Sequence, residues 1–73
     1  MSVSYNKLWH YLLDKNMTKT ELRNMAGVST NVIAKMGRNE SVSMDTLAKI
    51  CIALNCDIAD IVEMNGNGNE VKV

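Results

Sequence analysis

The stretch Thr18–Arg38, TKTELRNMAGVSTNVIAKMGR, decides the fold. It opens with Thr18-x-x-Glu21, in which the threonine hydroxyl can accept from a backbone N–H three residues on while the glutamate reaches back, and this marks a helix start. Gly27 ends that helix, because glycine adopts the left-handed conformation with little strain. Ser29 is a second N-cap candidate. The stretch therefore predicts two short helices joined by a tight turn, which is a helix-turn-helix.

Apolar side chains recur at helical spacing in both predicted helices. Leu22, Met25 and Ala26 follow the i, i+3, i+4 rule in the first helix. Ile33 and Met36 do the same in the second. Side chains at this spacing share one face of a helix, so we expect these five residues to face the core.

The opposite face of the second predicted helix is small and polar at its start and basic at its end. It carries no acid, and its residues are Thr30, Asn31, Ala34, Lys35 and Arg38. An asparagine can pair with adenine through two hydrogen bonds, a lysine can reach guanine or a phosphate, and a threonine can contact a thymine methyl. This face is therefore predicted to be able to enter a DNA major groove.

At these residues the chain resembles the helix-turn-helix domain of the Cro/C1-type (XRE-like) family. The matching features are Thr18, Glu21-Leu22, Gly27, Ser29-Thr30-Asn31 and Ile33, followed by residues 41–47 and 53–56, and the resemblance reaches about Met64. Two features depart from the family pattern: Arg23 replaces the usual alanine, and residues 37–40 form a variant of its polar loop. The chain also resembles small regulators of mobile glycopeptide-resistance operons.

The resemblance implies that the third helix lies in the major groove while the second crosses the DNA backbone. Base-edge contacts are then expected from Thr30, Asn31 and Lys35. The expected phosphate contacts are Lys19, Ser29, Arg38 and Asn39, with Thr18 capping the second helix close to a phosphate. Lys19 stands at a helix start, where free N–H groups and the helix dipole suit an anion. The alternative for Lys19 is an ordinary solvated surface lysine.

Beyond this stretch, the spacing of apolar residues predicts an all-α bundle of five short helices, the fold of the Cro/C1 (lambda repressor-like) domain. The first helix should span Tyr5–Lys15 with Ser4 as its cap. Its core-facing apolar stripe, which Leu13 widens, is Tyr5, Leu8, Trp9 and Leu12. Ser43 should cap the fourth helix, whose apolar stripe is Leu47, Ile50, Cys51 and Leu54. Asp57 should begin the fifth, whose apolar face is Ile58, Ile61 and Val62.

Residues 1–64 are expected to form a single helix-turn-helix DNA-binding domain, and residues 65–73 a flexible or strand-like C-terminal tail. The repeated Asn-Gly pairs after Met64 cannot sustain a helix. The segment Glu70–Val73 then alternates like a strand. It is expected either to be disordered or to pair as a short terminal strand, with residues 2–4 or with its counterpart in another copy.

The formal net charge is zero, but the charges are unevenly distributed. Residues 1–38 contain six bases and two acids, whereas residues 39–73 contain two bases and six acids. A basic half can face phosphates while the acidic half points away. The alternative is that these are ordinary solvated charges.

Several other classes of function are not expected. Cys51 and Cys56 are interpreted as small core residues, and the single histidine, His10, leaves no four-ligand metal set. No nucleophile–base pair or phosphate-binding glycine loop is apparent, so an enzyme is not predicted. No cofactor, metal or small-molecule ligand is expected. The absence of a signal peptide or of an apolar run near ~20 residues favours the cytoplasm over a membrane.

The leading hypothesis is a sequence-specific regulator of transcription that binds double-stranded DNA, and analogy suggests a repressor acting by operator occupancy. One small module buries little DNA surface, so we expect a homodimer on half-sites about 34 Å apart. The alternative is a protein-interaction module on the same fold, antitoxin-like or an anti-repressor. Six methionines leave that open, since methionine suits adaptable surfaces.

Overall fold

Four α-helices, one 3-10 helix and a two-stranded ribbon make up residues 2–65, the part of the chain that the computed structural model describes. In chain order they are β1 (Ser2–Ser4), α1 (Asn6–Asp14), α2 (Lys19–Ala26), α3 (Thr30–Gly37), α4 (Met44–Leu54), the 3-10 helix Ile58–Asp60, and β2 (Glu63–Asn65). The strands are antiparallel, with Ser2 opposite Asn65, Val3 opposite Met64 and Ser4 opposite Glu63.

One buried cluster draws on each of the four α-helices and on the segments that flank them. Its members are Tyr5, Leu8, Leu12, Leu22, Ala26, Met36, Leu47, Ile50, Leu54 and Ile61. The helical spacing predicted most of them. Two expected members are instead exposed: Leu13 by 75% and Met25 by 54%. Each short helix turns only a narrow strip toward so small a core, and these two residues lie beside that strip.

The first helix begins one residue later than predicted, at Asn6, with Tyr5 in the N-cap position. Tyr5 makes no side-chain cap hydrogen bond. Ser4 takes part in the start, since its hydroxyl accepts from the N–H of Asn6 at 3.3 Å, but it belongs to β1. The helix ends at Asp14, one residue before the predicted end.

The fifth predicted α-helix is wrong. Asp57 and Asp60 do form a capping box, as their spacing suggests, but the helix that follows is a single 3-10 turn. Directly afterwards Ile61 is buried and the chain enters β2. The 3-10 helix has only three residues, so no second turn forms that could pack on the core. The backbone N–H and C=O groups that follow pair with β1 in the ribbon instead.

A short strand does pair with residues 2–4, but the partner is Glu63–Asn65. The predicted partner, residues 70–73, lies outside the described residues, as does all of the predicted tail except Asn65. The division into a domain 1–64 and a tail 65–73 stays a prediction. Within residues 2–65, no helix is long and apolar enough to span a bilayer.

The end of α4 brings the two cysteines together. Asn55 is left-handed, with φ of 55°, and its N–H donates to the carbonyl of Ile52 at 3.3 Å. The N–H of Cys56 donates to the carbonyl of Cys51 at 3.0 Å. This pair of bonds is the Schellman motif, which places side chains five residues apart in contact. Both thiols are free and half-buried.

Candidate nucleic-acid interface

The helix-turn-helix forms through the local contacts that its residues predict. The Thr18 hydroxyl accepts from the N–H of Glu21 at 3.1 Å, and the Glu21 carboxylate accepts from the N–H of Thr18 at 2.9 Å. That second bond lowers the pKa of Glu21 below its usual value. Gly27 is left-handed, with φ of 69°, and the Ser29 hydroxyl accepts from the N–H of Val32 at 3.1 Å. Thr18 and Ser29 are thus confirmed as helix caps.

The structure brings the three candidate base-reading residues to one free surface of α3. Thr30 and Asn31 are exposed at the start of the helix, and Lys35 is half-buried one turn further on. No hydrogen bond to another described residue occupies the side chains of Thr30 and Asn31. Ala34, between Asn31 and Lys35 in the chain, is exposed and has only a small side chain. A duplex could therefore approach the α3 backbone closely at this face.

Lys19 lies at the first position of α2, and a neighbouring aromatic ring holds its side chain. Its ammonium is 4.5 Å from the centre of the Trp9 ring, a cation–π contact between α2 and α1. Trp9 is half-buried, so one part of its ring packs on the core while another part supports Lys19. The spacing in α1 predicted only the core role of Trp9. The contact to Lys19 joins separate helices, and no pattern in the sequence signals it.

The loop after α3 is tied to the beginning of α1. Asn39 is left-handed, with φ of 57°, and its side-chain oxygen accepts from the N–H of Tyr5 at 3.3 Å. The Tyr5 hydroxyl donates to the carbonyl of Glu40 at 2.8 Å. Burial raises the pKa of Tyr5, and the backbone of Val42 partly offsets that rise. The sequence indicated Tyr5 as a core residue but gave no sign that it fixes this loop.

Arg38 is exposed, as a phosphate contact requires, but it has an acidic partner. Its Nε lies 2.6 Å from Oε2 of Glu40, and both side chains are open to solvent. From the sequence, we assigned Glu40 no role at the DNA interface. The two are neighbours only because the left-handed Asn39 folds the chain back between them.

Bases outnumber free acids on the helix-turn-helix. Between residues 18 and 40 there are four bases, Lys19, Arg23, Lys35 and Arg38, and two acids, Glu21 and Glu40. Glu21 is engaged by the cap of α2 and Glu40 by Arg38. Three other aspartates lie on α4 and around the 3-10 helix: Asp45, Asp57 and Asp60. No group of three metal-ligating side chains occurs within residues 2–65.

Two comparisons with known proteins agree with this geometry. A family model described as the Cro/C1-type HTH DNA-binding domain matches residues 7–67. A crystal structure of the transcriptional regulator VanUg is 55% identical in sequence, with a TM-score of 0.82, over 85% of this chain and 83% of that one. Comparison with curated proteins gave no significant match. The chain therefore belongs to the family of Cro/C1-type helix-turn-helix DNA-binding domains.

Proposed function

We propose that this protein is a sequence-specific transcriptional regulator that inserts α3 into the major groove of double-stranded DNA. The observation that carries the proposal is the acid-free, exposed face of α3, presented by a capped helix-turn-helix. An α-helix fits the major groove, and there each base pair shows a distinct pattern of donors and acceptors. α2 then crosses the backbone, as in other helix-turn-helix complexes.

Base edges are read by Thr30, Asn31 and Lys35 in this proposal. The amide of Asn31 can bond adenine twice, and the Thr30 methyl can pack against thymine. Lys35 is half-buried, so its stem lies along the helix while its ammonium extends toward guanine or a phosphate. Thr30 and Asn31 are exposed and Lys35 is half-buried one turn further along the same helix, which supports these roles.

Phosphates are bound by Lys19, Ser29, Arg38 and Asn39. Trp9 holds Lys19 beside the Thr18 cap, where the helix dipole adds to its charge. The Ser29 hydroxyl accepts from Val32, so its own hydrogen stays available to donate outward. The oxygen of the Asn39 amide is used by Tyr5, which leaves its NH₂ group free to donate.

Tight binding requires two copies, and we propose a homodimer formed through an apolar stripe on α4. Met44, Ala48 and Ile52 follow one another at four-residue steps, and Met44 and Ile52 are 66% and 80% exposed. An adjoining groove of about 300 Å³ runs to Ile58. A small side chain, Ala48, thus lies between two large ones. If the α4 helices of two copies run antiparallel and cross at Ala48, Met44 of each copy lies opposite Ile52 of the other. Two-fold symmetry requires such a reciprocal pair of contacts.

Such a dimer would act as a repressor by occupying a pseudo-palindromic operator in the cytoplasm. The sequence resemblance to small regulators of glycopeptide-resistance operons and the likeness to VanUg support a place in an operon of that kind. No second domain that could sense an effector is needed for regulation by occupancy alone.

The decisive experiment selects bound duplexes from random DNA and measures the affinity of the selected sequence against salt. We expect a consensus with two half-sites about 34 Å apart. Lys19 and Arg38 of two protomers make four cationic phosphate contacts, so log K should fall against log salt with a slope of roughly −3.6 or steeper. Failure to enrich any sequence would contradict the proposal.

A protein-interaction module on the same fold is the second candidate, either antitoxin-like or an anti-repressor. It is favoured by exposed apolar side chains outside the α4 stripe, namely Leu13, Met25 and Met64. An apolar contact of this kind should barely depend on salt. DNA binding should weaken steeply as salt rises, because the counterions that binding releases from DNA then gain less entropy. The same salt series therefore separates the two functions.

A further inference from the structure

One acid lies among the bases of the proposed DNA-binding surface. The carboxylate of Glu40 is 2.6 Å from the guanidinium of Arg38. Its pKa is lowered first by that hydrogen bond and then by the charges of Arg38 and Lys35. Glu40 therefore stays ionised at neutral pH, next to two of the residues assigned to DNA.

The backbone of Glu40 is held firmly. Its N–H donates to the carbonyl of Lys35 at 3.0 Å, closing the Schellman motif at the end of α3. Its carbonyl accepts from the buried Tyr5 hydroxyl at 2.8 Å. The carboxylate thus projects from a fixed point beside Arg38, and its position does not depend on a loose loop.

A carboxylate and a phosphate compete for the same group. A guanidinium offers planar, forked donors that match both anions. The Arg38 and Glu40 side chains are 57% and 46% exposed, so a phosphate can reach Arg38 from solvent. Exposed ion pairs are weak, and exchange of one anion for the other is therefore inexpensive.

We propose that Glu40 lowers the DNA affinity of this surface by occupying Arg38 in the free protein, as a built-in substitute for a DNA phosphate. The inference rests on the proposed function and deepens it. On binding, the carboxylate leaves Arg38 and a backbone phosphate replaces it. Glu40 then adjusts affinity for all sequences equally, because the exchange involves no base edge.

The test measures binding of Glu40→Gln to the duplex selected by the wild-type protein, and to an unrelated duplex, across a salt series. We expect affinity at low salt to rise about 1.5- to 5-fold per bound protomer, as an exposed ion pair allows. The slope of log K against log salt should stay close to that of wild type, because Arg38 neutralises a phosphate in both complexes. The preference between the two duplexes should not change.

Two further variants identify the cause. Asp14→Asn removes one exposed acid at the C-terminal end of α1. The affinity for DNA that this variant gains measures the contribution of net charge alone. Arg38→Gln tests the route: in that background Glu40→Gln should gain no more than Asp14→Asn does. Circular dichroism confirms that each variant is folded.

The outcomes are distinguishable. If the wild-type protein binds the selected duplex but Glu40→Gln gains no more than Asp14→Asn, the inference is overturned and the proposed function stands. An undiminished gain in the Arg38→Gln background also overturns it, because Glu40 would then act without Arg38. If the wild-type protein binds no duplex in a salt-dependent way, the proposed function fails and the inference fails with it.

Discussion

Asn31 is the single residue on which sequence readout should depend most. It is the second residue of α3 and is exposed, and its amide can form two hydrogen bonds to adenine. Asn31→Ala should weaken binding to the selected duplex by about 1–3 kcal/mol and relax the preference at one position of each half-site. The measurement is a titration of wild type and variant on duplexes that differ only at that position.

Asn24→Ala is the matched control for Asn31→Ala, because Asn24 is an exposed asparagine of α2 with no assigned role in readout. It should leave base preference unchanged. Equal discrimination by wild type and Asn31→Ala would remove Asn31 from the set of reading residues.

The cysteines at the end of α4 are poor nucleophiles in the folded protein. Burial raises the pKa of Cys51, and burial together with the charge of Cys51 raises the pKa of Cys56 to about 11. Thiol chemistry needs the thiolate, so both groups should be unreactive near neutral pH. Their contact is structural, the side-chain pair of a Schellman motif.

A pH dependence of stability follows from the raised pKa of Cys56. Unfolding exposes the thiol and restores its ordinary pKa near 9.0, so the unfolded chain loses the proton first as pH rises. The contribution of Cys56 to the free energy of unfolding is complete below about pH 9 and is lost as pH approaches 11. Urea unfolding of wild type and Cys56→Ala should show a stability difference at pH 8 that narrows by pH 10. A difference that stays constant would contradict the shift.

At the scale of elements, the helix-turn-helix is built locally but aligned by α1. Thr18, Gly27 and Ser29 set the caps and the turn, whereas Tyr5 fixes the loop that follows α3. Trp9 supports Lys19 at the start of α2. α1 and its N-cap residue Tyr5 therefore position both ends of the proposed phosphate-binding surface, although neither is assigned a contact with DNA.

Tyr5→Phe isolates this positioning role. The variant loses the hydrogen bond to Glu40, which should cost about 0.5–1.5 kcal/mol of stability. Tyr11→Phe is a matched control, since the Tyr11 hydroxyl donates to the carbonyl of Leu54 at 3.0 Å, away from the interface. Both variants should unfold at lower urea concentration, but only Tyr5→Phe should change DNA affinity. Equal DNA affinities for the two would show that Tyr5 has no influence on the loop's function.

At the scale of the whole molecule, two separate surfaces are assigned to two different partners. The basic helix-turn-helix is assigned to DNA, and the apolar stripe of α4 to a second copy. The α4 stripe is not part of the core, because the buried residues of α4 lie on another side of that helix. They are Leu47, Ile50 and Leu54.

Ile52→Lys should abolish dimerisation, because it places a charge within the apolar contact, opposite Met44 of the second copy. Leu13→Lys is the matched control: Leu13 is 75% exposed and Ile52 80%, but Leu13 lies outside the stripe. Sedimentation equilibrium should show a monomer for the first variant and a wild-type dimer for the second. DNA affinity should fall only for the first. Dimers formed by Ile52→Lys would place the interface elsewhere.

What the sequence by itself determined is whatever depends on residues three to five positions apart. Thr18 with Glu21, Ser29 with Val32 and the left-handed Gly27 specify the helix-turn-helix, because caps and tight turns are made within one helical turn. The exposed face of α3 follows from the same periodicity. These features were therefore predictable without the fold.

Only the tertiary structure decided what depends on residues distant in the chain. A single 3-10 turn and then the pairing of β2 with β1 replace the predicted fifth helix. Tyr5 reaches Asn39 and Glu40, and Lys19 reaches Trp9, across separate elements. Leu13 and Met25 fall outside a core whose width no helical repeat reveals. Such contacts depend on how the elements pack, and packing is a property of the assembled chain that short-range spacing does not encode.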